Sequence, residues 1–153
     1  MSTAIDSYTI IHNNPFILSP LFELFYASLP KKPKNILLSY LVLPLVLYPP
    51  SRLFLARAKA GSSIRTMGKK RERLYGLSER MEEYKDLTNL CIQHVIDSSS
   101  IGIEEDLSVL VNGPRLDESL CPGTSARAAR KLGTLFGPYE IPAIYRSLGV
   151  KAL

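Results

Sequence analysis

Hydrophobic and polar positions divide this chain into apolar helical runs, one short alternating run and a polar start. The most apolar run is Asn35 to Tyr48, NILLSYLVLPLVLY, where Ile36, Leu37, Leu38, Leu41, Val42, Leu43, Leu45, Val46 and Leu47 are interrupted only by Ser39, Tyr40 and Pro44. A helix apolar on every side has to be buried, and this one is shorter than the roughly 20 residues a bilayer span needs. Pro44 removes one backbone hydrogen bond, so the element is expected to bend or divide there. The remainder of the chain is expected to pack around it.

Ahead of that run, NNPFILSPLFELFYASLP predicts a helix with Ser19 as cap and Pro20 at its first position. Leu21, Phe22, Leu24, Phe25 and Leu29 would form its apolar face, and Pro30 would end it. The linker KKPK is short, so this helix and the 35–48 element should pair as a hairpin. Two apolar runs around a basic turn also describe a membrane hairpin. Their shortness, their prolines and Glu23 inside the first run weigh against it.

After Pro49-Pro50, a short helix is expected over Arg52 to Ala60, and Ser62 or Ser63 would cap the basic segment IRTMGKKRER. From Lys69 onward Leu74, Leu77, Met81 and Tyr84 recur at helical steps, with Gly76 as a weak point. Leu87, Leu90, Cys91 and Val95 continue the pattern, with Asp86 read as the cap of a new helix and Ser98 to Ser100 as its stop. The period then changes to two. Ile101 and Ile103, the acidic turn Glu105-Asp106, and Leu107, Val109 and Val111 read as a β-hairpin closed by Asn112-Gly113-Pro114. The stretch PRLDESLCPGTS is a loop. Ala128, Ala129, Leu132, Leu135 and Phe136 then form one helical stripe, and Ile141, Ile144, Tyr145 and Leu148 a last short helix that Gly149 terminates.

These elements predict a mainly α (α+β) protein: a helical chain with a central winged-helix-like unit and a small β-hairpin. The divisions are an extended lead-in over 1–13, an N-terminal helical hairpin with an apolar core over 14–60, a winged-helix-like unit with a hairpin wing over 61–113, and a C-terminal helical pair over 114–153, all within one compact domain.

Composition narrows the function more than the fold. With 153 residues, 46% hydrophobic and 22% charged, the chain is an ordinary globular one. Its net charge of +5 is local: Arg52, Arg57, Lys59, Arg65, Lys69, Lys70, Arg71 and Arg73 against Glu72 give +7, leaving −2 elsewhere. Arg65, Lys69, Lys70, Arg71 and Arg73 are therefore the candidate contacts to DNA phosphates or to an acidic partner, two readings the sequence leaves level. There is no tryptophan and no aromatic interleaved with these cations, so a stacking platform for single strands is not indicated. Cys91 and Cys121 form no disulfide framework, and the start MSTAIDSYTI lacks a secretory pattern, which points to the cytoplasm.

No catalytic residues are expected. His12 and His94 accompany no nucleophile motif, and the carboxylates Glu79, Glu82, Glu83, Glu104, Glu105 and Asp106 read as solvated faces or a turn. Cys91 and His94 alone make no metal set, and no phosphate-binding glycine loop is present, so neither metal nor cofactor is expected.

Asn14-Pro15, the LVLPLVLY core, the helix-helix-hairpin centre and the C-terminal ARKLGTLFGPYEIPAIYRSLGV together resemble the middle component of ABC three-component systems, the Lamassu-type modules of anti-phage and anti-plasmid defence. The resemblance runs from Asn14 onward through Leu43-Pro44, Lys131-Leu132-Gly133 and Leu148-Gly149-Val150. Tryptophans frequent in that family are absent, with Leu135 and Phe136 at one of their places. The resemblance implies a non-enzymatic accessory subunit, similar to the small winged-helix subunits of condensin-like complexes. Its partners would be an SMC/Rad50-like ABC ATPase and an effector, often a nuclease, with DNA reached through the complex and no membrane. Arg127, Arg130, Lys131, Phe136 and Tyr145 are the candidate residues of the partner interface. The rival is a free-standing winged-helix DNA-binding regulator. That role needs a basic recognition helix, and Asp86 to Ser98 holds no lysine or arginine.

Overall fold

Asn14, not Ser19, opens the first helix. In the computed structural model, which describes residues 14–112 and 123–151, its side chain accepts from Phe16 N at 2.9 Å and Pro15 takes the first helical position. Helix α1 thus spans Pro15–Ser28 with Pro20 inside it. Proline costs a helix the bond to the carbonyl four residues back. Here that carbonyl is Phe16's, in the exposed first turn, while Ser19 donates to Pro15 O. The lead-in 1–13, with His12, and the segment 113–122, with Cys121, lie outside the described residues.

The apolar run forms a 3-10 turn, Asn35–Leu38, and helix α2, Ser39–Val46. Pro44 does not divide it. The break comes at Leu47-Tyr48, where the axes of Asn35–Val46 and of α3, Pro49–Ala56, differ by 103°. Tyr48 precedes two prolines and is extended, as the clash with a following proline ring requires. Ser51, fully buried, donates to Leu45 O at 2.5 Å and Tyr48 O at 3.1 Å, which satisfies carbonyls at the corner. Among the described residues no single helix is long and apolar enough to cross a membrane; the bent pair at this corner passes on length and composition alone. Leu41 to Leu47 are all buried inside the chain, so the apolar surface is used internally.

The basic segment is less helical than expected. Helix α4 covers Ile64–Gly68, Arg71–Arg73 form a 3-10 turn, and the long helix α5 spans Leu77–Asp97. Gly76, with φ +68°, stands just before α5 in the left-handed region that glycine adopts without a Cβ penalty. Asp86 starts no second helix. The stripe Leu77, Met81, Thr88, Cys91 and Val95 is buried across it, and continuous burial outweighs a cap preference of about 1 kcal/mol. The expected winged-helix-like order therefore becomes a short helix, a 3-10 turn, one long helix and a hairpin.

Strands β1 (Ile101–Ile103) and β2 (Val109–Val111) pair antiparallel with Ile101 opposite Val111 and Ile103 opposite Val109. The hairpin is strapped to the turn before α2. Asn35, 1% exposed, accepts from Val109 N through Oδ1 at 2.8 Å, while Lys34 N and Ile36 N donate to Asp106 O and Leu107 O at 2.9 and 3.2 Å. Tyr26 donates its hydroxyl to Asn35 O at 3.0 Å, tying α1 to the same point.

Helices α6 (Gly123–Phe136) and α7 (Ile141–Ser147) complete the fold. Gly149, at φ +77°, follows the end of α7. The expected α1–α2 hairpin is a minor contact. Helix α1 packs chiefly on α6 and α5, α2 on α5, and α3 on α6. Gly133, buried on α6, lets the α1 backbone come close, with Phe25 O and Leu29 N within 2.4 and 3.1 Å of where its Cβ would stand. Lys32 in the linker donates to Gly137 O at 2.7 Å and Tyr139 O at 2.5 Å, joining that linker to the end of α6.

Candidate nucleic-acid interface

The basic turn is anchored by apolar side chains beneath it. Ile64 and Met67 of α4 are buried, and Ser63 caps the helix by accepting from Thr66 N at 3.2 Å. Gly68 and Leu74 fold towards each other, with Leu74 Cδ1 3.8 Å from where a Gly68 Cβ would stand.

Two arginines brace this turn. Arg73 lies over the Phe54 ring, its guanidinium carbon 4.3 Å from the ring centre, and its Nη1 donates to Thr66 O at 3.1 Å and Met67 O at 3.5 Å. Those carbonyls end α4, where a cation is favoured. Arg73, expected as a contact residue, is therefore committed to holding the turn. Arg80 sits over Tyr48 at 3.6 Å, donates from Nε to Pro44 O at 3.1 Å and from Nη1 to Tyr75 O. Burial lowers its pKa from the ordinary arginine value, with the Tyr48 hydroxyl opposing that shift. Neither bracing role is visible in sequence spacing, because both depend on rings contributed by α3 and the α2–α3 corner.

The braces leave four cations free. Arg65, Lys69, Lys70 and Arg71 are exposed, and none makes an ion pair or side-chain hydrogen bond among the described residues. Arg57 and Lys59 are exposed just beyond α3. Tyr75, at the end of the turn, is 76% exposed. Such an arrangement can meet an anionic group, phosphate or carboxylate, by charge and offers one exposed aromatic ring.

The other candidates divide. Arg127 and Lys131 lie exposed on α6, and Arg130 is half-buried. Phe136 does not belong to a surface, and Tyr145 reaches one only at the floor of a cleft. Phe136 is 0% exposed and meets Phe25 edge to face at 6.1 Å, while Tyr145 is buried and donates its hydroxyl to Leu37 O. The stripe that includes Phe136 faces α1, so its bulk fills the core.

Two shallow clefts of about 260 and 320 Å³ share Leu37 and Val150. Met81, Tyr40, Ile141 and Tyr145 give them apolar floors, and Glu82 is the one carboxylate lining either. Among the described residues no three His, Cys, Asp or Glu side chains gather as metal ligands. Burial pushes the Cys91 thiol up to about 11, against a lowering bond from Ser19, so it stays protonated and unreactive at neutral pH. In the hairpin turn, bonds from Lys31 and Ser108 hold the Glu104 carboxyl below its ordinary value, and bonds from Ser108 do the same for Asp106.

Glu23 shifts the other way. Partial burial raises its pKa above 4.5, only partly offset by the Ser100 bond and by His94. A carboxyl that holds its proton more tightly when folded adds stability that is full below its unfolded pKa and lost as pH rises through the folded value. Glu23→Gln should therefore be more stable than the parent at neutral pH and lack that part of the decline. Urea unfolding of both proteins from roughly pH 4 to pH 8 measures this. Parallel curves over that range would refute the assignment.

A family model described as ABC-three component (ABC-3C) system Middle Component 3 matches residues 2–152. No curated protein and no solved structure matches the chain.

Proposed function

The chain belongs to the ABC-three component system Middle Component 3 family, and we propose that it is a non-enzymatic accessory subunit of a Lamassu-type defence complex. It joins an SMC/Rad50-like ABC ATPase to an effector such as a nuclease, and it presents the basic turn to DNA. Membership of a multi-component system supports the presence of protein partners. The observation that carries the DNA contact is the braced turn, where Arg65, Lys69, Lys70 and Arg71 stand exposed without ion pairs among the described residues. Cations held apart from internal carboxylates are available to replace the counterions of phosphates. Arg127 and Lys131, exposed on α6, are the proposed contacts to a protein partner.

The test is co-expression of the tagged chain with the proteins encoded beside it, followed by DNA retention on the purified assembly across salt concentrations. Recovery of a coiled-coil ATPase supports the accessory role. Replacing Arg65, Lys69, Lys70 and Arg71 with glutamate should then leave the assembly intact and lower DNA retention at least about tenfold, with a shallower salt dependence. Loss of the ATPase instead would make the turn a dock for an acidic protein surface. Unchanged assembly and unchanged retention would overturn the DNA role. A chain recovered alone that prefers one DNA sequence would favour a free-standing regulator. The exposed Glu79, Glu82, Glu83 and Asp86 on α5 oppose that outcome, because they repel the major groove such a helix must enter.

A further inference from the structure

Tyr75 lies outside the basic segment when that segment is drawn by charge alone, from Arg52 to Arg73. In the structure it closes the same turn. It is the most exposed large hydrophobic residue among those described, at 76%. Its backbone is nonetheless fixed: Gly76 turns the chain at φ +68°, and Tyr75 O accepts from Arg80, itself held by Tyr48 and Pro44 O. Lys69, Lys70 and Arg71 lie four to six residues before it, on a turn that Arg73 ties to the end of α4.

A ring held in water on a rigid backbone is ready to be covered at little ordering cost. The residues around it say by what. A protein-binding anchor of this kind is ringed by contacts that seal it from water, whereas Arg71, Glu72 and Glu79, close to Tyr75 in sequence, are all exposed, and Leu74 is turned towards Gly68. The turn's four exposed cations, Arg65, Lys69, Lys70 and Arg71, outnumber its one carboxylate, Glu72. With a bare aromatic ring four to six residues past the last three, they match a single-stranded nucleic acid, whose phosphates meet the cations while an unpaired base stacks on the ring. In duplex DNA the bases stack on one another and their faces are closed.

We infer that the basic turn binds single-stranded nucleic acid, with an unpaired base stacked on Tyr75. The inference rests on the reading that this turn contacts nucleic acid, and it adds the strand state that is preferred. Stacking is indifferent to base identity, so the preference is for unpaired strands rather than for a sequence.

The experiment measures binding of the purified chain, or of its assembly, to fluorescent mixed-sequence single-stranded and blunt duplex DNA oligonucleotides. The parent should bind the single strand more tightly. Tyr75→Ala should weaken single-strand binding about 5- to 100-fold, with duplex affinity and salt dependence kept. Tyr75→Phe, which keeps the ring, should stay within about threefold of the parent. Equal affinity of Tyr75→Ala and parent for the single strand, or no preference in the parent, overturns the inference. A Lys69/Lys70/Arg71→Ala variant separates the layers. If it lowers binding to both DNAs while Tyr75→Ala does not, stacking alone fails; if it changes neither, the nucleic-acid reading of the turn fails as well. Loss of a partner subunit from Tyr75→Ala with DNA affinity kept would make the ring a protein contact and overturn the proposal.

Discussion

Gly133→Ala is expected to destabilise the chain by about 2–3 kcal/mol and to lower its melting temperature by roughly 5–10 °C. A Cβ at Gly133 would stand 2.4 Å from Phe25 O, 2.9 Å from Ser28 Cβ and 3.1 Å from Leu29 N. The first and last of these are backbone atoms of α1 and the residue after it, so no rotamer change relieves the overlap. The helices must separate along a crossing where α1 packs chiefly on α6. Overfilling of this kind costs about 3 kcal/mol or more, while alanine returns about 1 kcal/mol of helix propensity; the clash wins. Gly61→Ala is the control, because nothing lies within 4 Å of a Cβ there, and it should melt within about 2 °C of the parent. Thermal unfolding followed by circular dichroism decides, and a Gly133→Ala protein as stable as the Gly61→Ala control would refute the close crossing.

That crossing shows where sequence reading stops. The mainly helical class, the hairpin at 101–111 and the buried run at 35–48 follow from local periodicity, and the structure has all three. Boundaries are set by competition between local signals and tertiary burial. Asn14 and Ser19 are both good caps, and Asn14 prevails by opening a helix whose first position Pro15 fills. Asp86 is a fair cap too, but the buried stripe from Leu77 to Val95 runs through it. Pro44 is carried within α2, while Pro49-Pro50 sets the corner, because the constraint falls on Tyr48 before them.

The basic turn was half legible. Charge alone picks out Arg65, Lys69, Lys70 and Arg71, all four exposed. It also picks out Arg73 and leaves Tyr75 outside the turn that it closes, because a guanidinium over Phe54 and a turn fixed through Arg80 depend on rings distant in sequence. Lysine-leucine-glycine on α6 is similar: the motif points to a family, while its physical content, a glycine under the α1 backbone, is a tertiary fact.

Phe136→Ala is expected to cost about 3–5 kcal/mol, enough to lower the melting temperature by about 10 °C or more. A partner-facing aromatic would behave otherwise, since its removal would weaken assembly and leave the isolated fold nearly unchanged. Phe136 is fully buried, edge-on to Phe25, at the end of the helix that carries Gly133 and beside Gly137, whose carbonyl Lys32 holds. Truncation leaves a cavity between α1 and α6 that the close backbone contact at Gly133 keeps from collapsing, so the loss belongs at the upper end of the range. Phe136→Leu retains most of the volume and should lose well under half as much. Denaturant unfolding of both variants, together with partner recovery at a temperature where both remain folded, separates the two roles. Normal stability with lost partner would return Phe136 to the interface, whereas a large drop in stability with partner retained while folded makes it the closing piece of the α1–α6 core.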